Sequence, residues 1–269
     1  MTRIVTSGTP DAALLNAFDL VIISRSVPSG DYQDPPETAA WNGLTAPTVI
    51  LGGYVLRANR LGFATGNTIP DTAGPVRLTV NDPNHPIFAG IELDAAKTMV
   101  NPYADIVTFK GTAQRGISVN TDPVAGNGTV LATIGTADDP AVGGMAIGEW
   151  QTGATMGNAS ADTLAGHRLV FLTGSREQGI TSEGAGIYDL NPDGAKLFLN
   201  AVNYMAGTEP GPAAPTLSLT RTATGLSITF TGTLQSADSV AGPWADVTNA
   251  TSPLAVTPTG AQRFYRAKQ

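Results

Sequence analysis

The chain has 269 residues, and its 22 acidic against 15 basic side chains give a net charge of −7. Nucleic acid and anionic membrane surfaces both need clustered Lys and Arg, so neither is an expected partner. The absence of cysteine excludes disulfides, thiolate metal ligands and a cysteine nucleophile.

No apolar run approaches the length of a membrane span, so no membrane insertion is expected. The opening MTRIVTSGTPDAALL has no apolar stretch long enough for a signal peptide; an exported product would carry its signal upstream of Met1. In chain order, RIVT (3–6), DLVIIS (19–24), PTVIL (47–51) and HRLVFL (167–172) read as strands, the last three nearly continuous in apolar character, as buried parallel strands are. Helical spacing falls on Pro10–Phe18, Pro35–Leu44, Tyr54–Leu61 and Asp193–Met205. The last is opened by Asn191-Pro192 and closed by Gly207. Between them, VRLTV, DIVTF, GISV, TVLATI and GGMAIGEW are rich in β-branched residues and predict an antiparallel extension of the sheet.

The segment TEPGPAAP (208–215) has three prolines in eight residues and reads as a semi-stiff linker. Beyond it, residues 216–269 hold short alternating strands (TLSLT, LSITF, RFYRA), which predict a small all-β sandwich around Leu219, Ile228, Trp244 and Tyr265.

In an open parallel sheet, ligands bind beyond the carboxyl ends of the strands. Those ends carry Ser7, then Ser24-Arg25-Ser26, Gly52-Gly53-Tyr54, and Thr173 to Glu177. The ligand-binding candidates are therefore Ser7, Ser24, Arg25, Gly53, Tyr54 and Arg176, a mix of hydroxyls, guanidiniums and one aromatic that suits sugar or carboxylate recognition. The catalytic candidates are Ser26, Ser175, Glu177 and His85. A Ser-His-Asp arrangement requires a histidine beside Ser26 or Ser175. His85 lies between prolines in NDPNHPIFAG, where closing a loop is the plainer role, and His167 precedes a strand and belongs at its amino-terminal edge. Glu149-Trp150 offers an acid beside an aromatic, with Trp150 in the core as the competing reading. No cofactor and no metal site are expected.

The stretches DLVIISRSVPSGDY, PTVILGGYVLRANRLGF, HPIFAGI, and GHRLVFLTGS followed by NPDGAKLFLNAVNYMAG resemble the ThuA-like and class I glutamine amidotransferase-like superfamily over most of residues 1–207. The resemblance implies an α/β fold that is flavodoxin-like, a mostly parallel sheet with helices on both faces, with the antiparallel extension added. It also implies that Leu51 or Gly52 stands where the amidotransferases carry a nucleophile elbow, and that Thr173 to Ser175 stand near their histidine position. Neither cysteine nor histidine is there, so glutamine hydrolysis is not expected. An elbow would show as positive φ at Gly52 or Gly53. Relatives open with a further strand and helix, so Met1 is expected to lie inside an ancestral domain, with RIVT and DLVIIS pairing directly or another chain supplying the missing strand; a shortened natural variant with a tight connection is the competing reading. The tail, LQSADSVAGPWADV…GAQRFYRAK, resembles fibronectin-type-III-like modules that end exported proteins of Verrucomicrobia and related bacteria. These readings together point to an extracellular or cell-envelope binding or scaffolding protein, with carbohydrate or cell-surface material as the ligand class. The alternative is a hydrolase acting on a glycan or ester from the carboxyl ends of the strands.

Overall fold

The computed structural model describes residues 1–104, 108–109, 111–113, 116–176, 186–208, 215–222, 225–257 and 262–268. The chain divides into two units, Met1–Glu209 and Pro210–Gln269.

The first unit is built on a seven-stranded sheet. Its strands are β1 (Val21–Ile23), β2 (Thr48–Ile50), β3 (Leu78–Val80), β4 (Thr98–Met99), β5 (Thr129–Ile134), β6 (Met145–Trp150) and β7 (Arg168–Phe171). Their order across the sheet is β1-β2-β7-β6-β5-β3-β4. β1, β2 and β7 run parallel, with Val49 opposite Ile22 on one side and Leu169 on the other. From β7 to β4 every pairing is antiparallel. The protein is thus a mixed α/β fold in which a parallel part carries an antiparallel extension. β2, β6 and β7 are buried along their whole length, which is why their sequences are apolar runs and not alternations.

Among the described residues, three α-helices accompany the sheet: α1 (Ala12–Leu15), α2 (Pro35–Asn42) and α3 (Pro192–Met205). α2 starts on two prolines, whose missing N–H groups cost nothing there, and Glu37 reaches back to accept from the Asp34 N–H at 3.2 Å. Its Trp41 stacks on Tyr32 with ring centroids 4.9 Å apart. The carboxyl end of α2 is closed from a distance. Arg168, 2% exposed, donates through Nη2 to the carbonyls of Trp41, Asn42 and Leu44, and through Nη1 to those of Ala46 and His167. The Trp41 and Asn42 carbonyls also accept the Leu44 and Ala165 N–H groups, so Arg168 adds a second donor to them and supplies the donor for Leu44. α3 lays Leu197, Ala201 and Met205 against the sheet, and Phe198 meets Phe171 edge-on at 5.3 Å.

Several expectations are corrected here. Residues 3–6 form no strand and do not pair with DLVIIS. Only Ile4 packs on the core, while Val5 stands 72% exposed, so the segment lacks the burial a strand of this sheet has. The helix expected over Tyr54–Leu61 is a single 3-10 turn, Gly53–Leu56, ended by Arg57 in an extended conformation. The glycines before it are not an elbow: Gly52 has φ −108, and Gly53 is not among the positive-φ glycines. Gly53 answers a close approach instead, since a Cβ there would sit 2.1 Å from the Ser118 carbonyl oxygen. DIVTF and the linker fall largely outside the described residues.

The second unit contains two three-stranded antiparallel sheets. One holds Leu217–Thr222, Gly225–Phe230 and Leu254–Val256; the other holds Thr233–Ala237, Ala245–Asp246 and Phe264–Lys268. Ile228, Phe230 and Leu234 form its core, with Val247, Leu254 and Tyr265 packed around them. Leu219 is 58% exposed and lies outside that core. Trp244 is half-buried and lies under the Arg266 guanidinium, 4.5 Å from its ring centroid.

Candidate functional site

The carboxyl ends of the parallel strands bring three arginines around one tyrosine. Arg25 follows β1, Tyr54 and Arg57 belong to the turn after β2, and Arg176 follows β7. Their guanidinium carbons lie 5.9, 5.2 and 5.3 Å from the Tyr54 ring centroid for Arg25, Arg57 and Arg176 respectively. At this range a guanidinium is attracted by the negative face of an aromatic ring. Arg176 Nη1 donates to the Tyr54 hydroxyl at 3.2 Å. Arg57 donates to the Tyr54 carbonyl at 3.0 Å and to Ser29 Oγ at 3.2 Å.

Arg25 is the anchor, 7% exposed. Its Nε donates to the Gly174 carbonyl at 3.2 Å and its Nη2 to Ser118 Oγ at 2.9 Å, and Ser118 Oγ donates on to Asp71 Oδ1 at 2.5 Å. Burial lowers its pKa; Asp71 opposes that shift and Arg176 adds to it. Burial lowers that of Arg57 as well, with Arg60 adding to the effect and Tyr54 opposing it. The region is therefore a concentration of like charge in an acidic chain.

Of the sequence candidates, Arg25, Tyr54 and Arg176 meet here, with Gly53 beneath Tyr54 against Ser118. Ser24 and Ser26 stand on either side of Arg25 in the chain, their hydroxyls 3.2 Å apart. Ser7 is not brought in, because no strand carries it. Ser175 is 2% exposed, and its hydroxyl faces Asp189 Oδ2 at 3.3 Å. Asp189 also accepts from Thr173 Oγ1 at 2.7 Å and the Gly174 N–H at 2.8 Å. Burial raises its pKa and these bonds oppose the rise. The void that Ser175 and Asp189 line has a volume of about 10 Å³, room for about one water. Glu177 lies outside the described residues.

His85 reaches neither serine. It sits with His167 at the opposite end of the sheet, where both meet Glu149 at the end of β6. His85 Nε2 is 3.4 Å from Glu149 Oε2, and His167 Nε2 is 2.6 Å from Oε1. The Tyr204 hydroxyl, from α3, donates to Oε1 at 2.7 Å. Burial alone would raise the Glu149 carboxyl; hydrogen bonds from His167, His85 and Tyr204 outweigh it and hold the group well below its ordinary range. His85 also accepts the Ile87 N–H on Nδ1, closing the turn at Pro86–Phe88. That fixes the proton on Nε2, the nitrogen facing Glu149, so both histidines and Tyr204 act as donors to one carboxylate. The cluster ties β6, the start of β7, the Pro86 turn and α3 together. An open, polar cleft of about 250 Å³ lies beside it, lined by Glu149, Gln151, Thr152, Asn127 and Thr129 among others. Trp150 does not face that cleft: it is 1% exposed, meets Phe63 edge-on at 5.0 Å and donates to the Ala125 carbonyl at 2.7 Å.

Sequence reasoning missed Arg57, Ser118 and Asp71 at the first location and the meeting of the two histidines at the second. A pairing of Asp-Pro-Asn-His with a distant Glu-Trp leaves no local pattern. Arg57 could have been found from its place three residues after Tyr54, since a turn of either helix type brings i and i+3 together.

No protein-family model matches the chain. No curated protein matches it. Among solved structures, the chain is similar to a cytoplasmic protein of Salmonella typhimurium, STM3548, with 12% identity and a TM-score of 0.40, the match covering 72% of this chain and 74% of that one. No helix of the described residues is long and apolar enough to cross a membrane.

Proposed function

We propose that this chain is an exported binding or scaffolding protein of the cell envelope or exterior, with a carbohydrate or carbohydrate-bearing cell-surface material as its ligand. Residues 1–207 are then a degenerate, flavodoxin-like relative of the ThuA-like and amidotransferase-like domains, with helices on both faces of the sheet. Residues 208–215 form a linker, and 216–269 a fibronectin-III-like module. The observation that carries this reading is the division of groups between the two ends of the sheet. The carboxyl ends of the parallel strands hold converging donors, and both histidines are committed to Glu149 at the other end. Among the described residues the Ser26 hydroxyl bonds only that of Ser24, and Ser175 is buried against a carboxylate, so neither serine has a histidine there to activate it. A binding site needs no such pair.

The test is to expose the immobilised full chain to an array of glycans while assaying the supernatant for released sugars, alcohols and ammonia. Retention of one glycan class without product supports a binder. Turnover abolished by Ser26→Ala or Ser175→Ala would replace this reading with the hydrolase alternative.

A further inference from the structure

We propose that the ligand taken at the Tyr54 end of the sheet is an acidic glycan, held through the carboxylates of uronic acid residues by Arg25, Arg57 and Arg176. The proposal rests on the binding reading above and narrows it to one class of sugar.

A chain of net charge −7 places three guanidiniums within 6 Å of a single ring centroid. Among the described residues, neither Arg57 nor Arg176 has a carboxylate at ion-pair distance; their partners are the Tyr54 carbonyl, Ser29 Oγ and the Tyr54 hydroxyl. Arg25 reaches Asp71 only through Ser118. Asp71 and the buried Asp189 both favour the charge of Arg25, so among the described residues two carboxylates, neither bonded to an arginine, stand against three cations. Arg176 disfavours the charge of Arg25, and Arg60 that of Arg57. An anion seated between them relieves that repulsion.

The shape of the donors selects the kind of anion. Guanidiniums are planar forks that match a carboxylate with two parallel N–H···O bonds. Phosphate sites, by contrast, are built mainly on free backbone N–H groups at a helix start or a glycine-rich nest. Here the turn after β2 has a single 3-10 turn, and the Gly174 N–H is already given to Asp189. The exposed Ser24 hydroxyl, one residue from Arg25, adds a neutral donor and acceptor of the kind that sugar hydroxyls need. Arg25 is locked by burial, whereas Arg57 and Arg176 are half-buried, so one arginine fixes the site and two reach the ligand.

The experiment is calorimetric titration of the full chain with uronic acid oligosaccharides (galacturonate, glucuronate and mannuronate series) and with their fully methyl-esterified, neutral counterparts. Arg57→Gln and Arg176→Gln are titrated beside the wild type. Both side chains are partly exposed, and far-ultraviolet circular dichroism checks that the variants remain folded. The expected result is binding of at least one acid series, loss of binding on esterification, and an affinity fall of about tenfold or more in each variant. Binding should also weaken with rising salt. Equal binding of acid and ester forms, unaffected by either substitution, overturns this proposal while leaving a carbohydrate binder intact. Binding of neither form, with no other sugar retained on the array, overturns both.

Discussion

His167 and Ser175 flank the same strand, β7, from its two ends. His167 precedes Arg168 and gives its Nε2 to Glu149 at 2.6 Å; Ser175 follows the strand and is buried against Asp189. The four strand residues between them alone span about 13 Å at roughly 3.3 Å each. A base must approach its nucleophile to about 3 Å. The parallel strand thus separates the parts that a Ser-His site would have to unite, and the chemistry of each end has to be judged by itself.

The two glycines after β2 differ in what they tolerate, which gives a first prediction. A Cβ at Gly53 would lie 2.1 Å from the Ser118 carbonyl, whereas at Gly52 the nearest atoms are 3.5 Å away and φ is −108. Gly53→Ala should cost about 3 kcal/mol in urea unfolding, because strand and loop must part. Gly52→Ala should stay within about 1 kcal/mol of wild type. Equal losses at both positions would show that the bend itself, and not the approach to Ser118, demands glycine.

Arg168 supplies a second. Its charge is spread over the carbonyls that end α2, and burial lowers its pKa to about 10. Arg168→Met keeps the length of the stem but abandons those acceptors. The expected loss is about 2 kcal/mol, because the Leu44 carbonyl loses its donor while those of Trp41 and Asn42 keep the Leu44 and Ala165 N–H groups. A loss below about 1 kcal/mol would mean that water replaces the guanidinium freely.

The third concerns acid stability. The folded Glu149 carboxyl lies below its ordinary value of 4.5, so it binds a proton less readily in the folded chain than in the unfolded one. Its contribution is complete above that ordinary value and is lost as pH falls toward the folded value. Glu149→Gln should therefore destabilise the protein by about 2 kcal/mol near neutral pH, the worth of charged hydrogen bonds. The gap between variant and wild type should narrow as pH falls from 5 to 3. Unfolding curves at several pH values check this, and a gap that stays constant or widens on acidification would contradict it.

What the sequence made legible follows from how local each signal is. The buried runs that became β2 and β7 were readable because continuous apolar character is local. So was α3, whose bounds agree with expectation to one residue. Arg25, Tyr54 and Arg176 were readable because the ends of parallel strands converge whatever else the chain does. Tyr54–Leu61 was misread for a physical reason. Val55, Leu56 and Leu61 are all buried, as helical spacing suggests, but they are buried by a 3-10 turn and a loop that folds back from the left-handed Gly62. RIVT was misread because β propensity does not supply a partner strand. The Glu149 cluster was illegible because its members are separated by 18 to 119 residues, and only the sheet order puts them at one end.

The central claim is that ligand recognition belongs to the arginine–tyrosine end of the sheet and not to the histidine end. The most direct measurement is the affinity of Arg176→Gln and of His167→Gln for whichever glycan the wild type retains, taken at neutral pH on folded protein. The account predicts that Arg176→Gln weakens binding about tenfold or more while His167→Gln changes it by less than about twofold. Loss of binding in His167→Gln with Arg176→Gln unaffected would contradict it and move the site to the cleft beside Glu149.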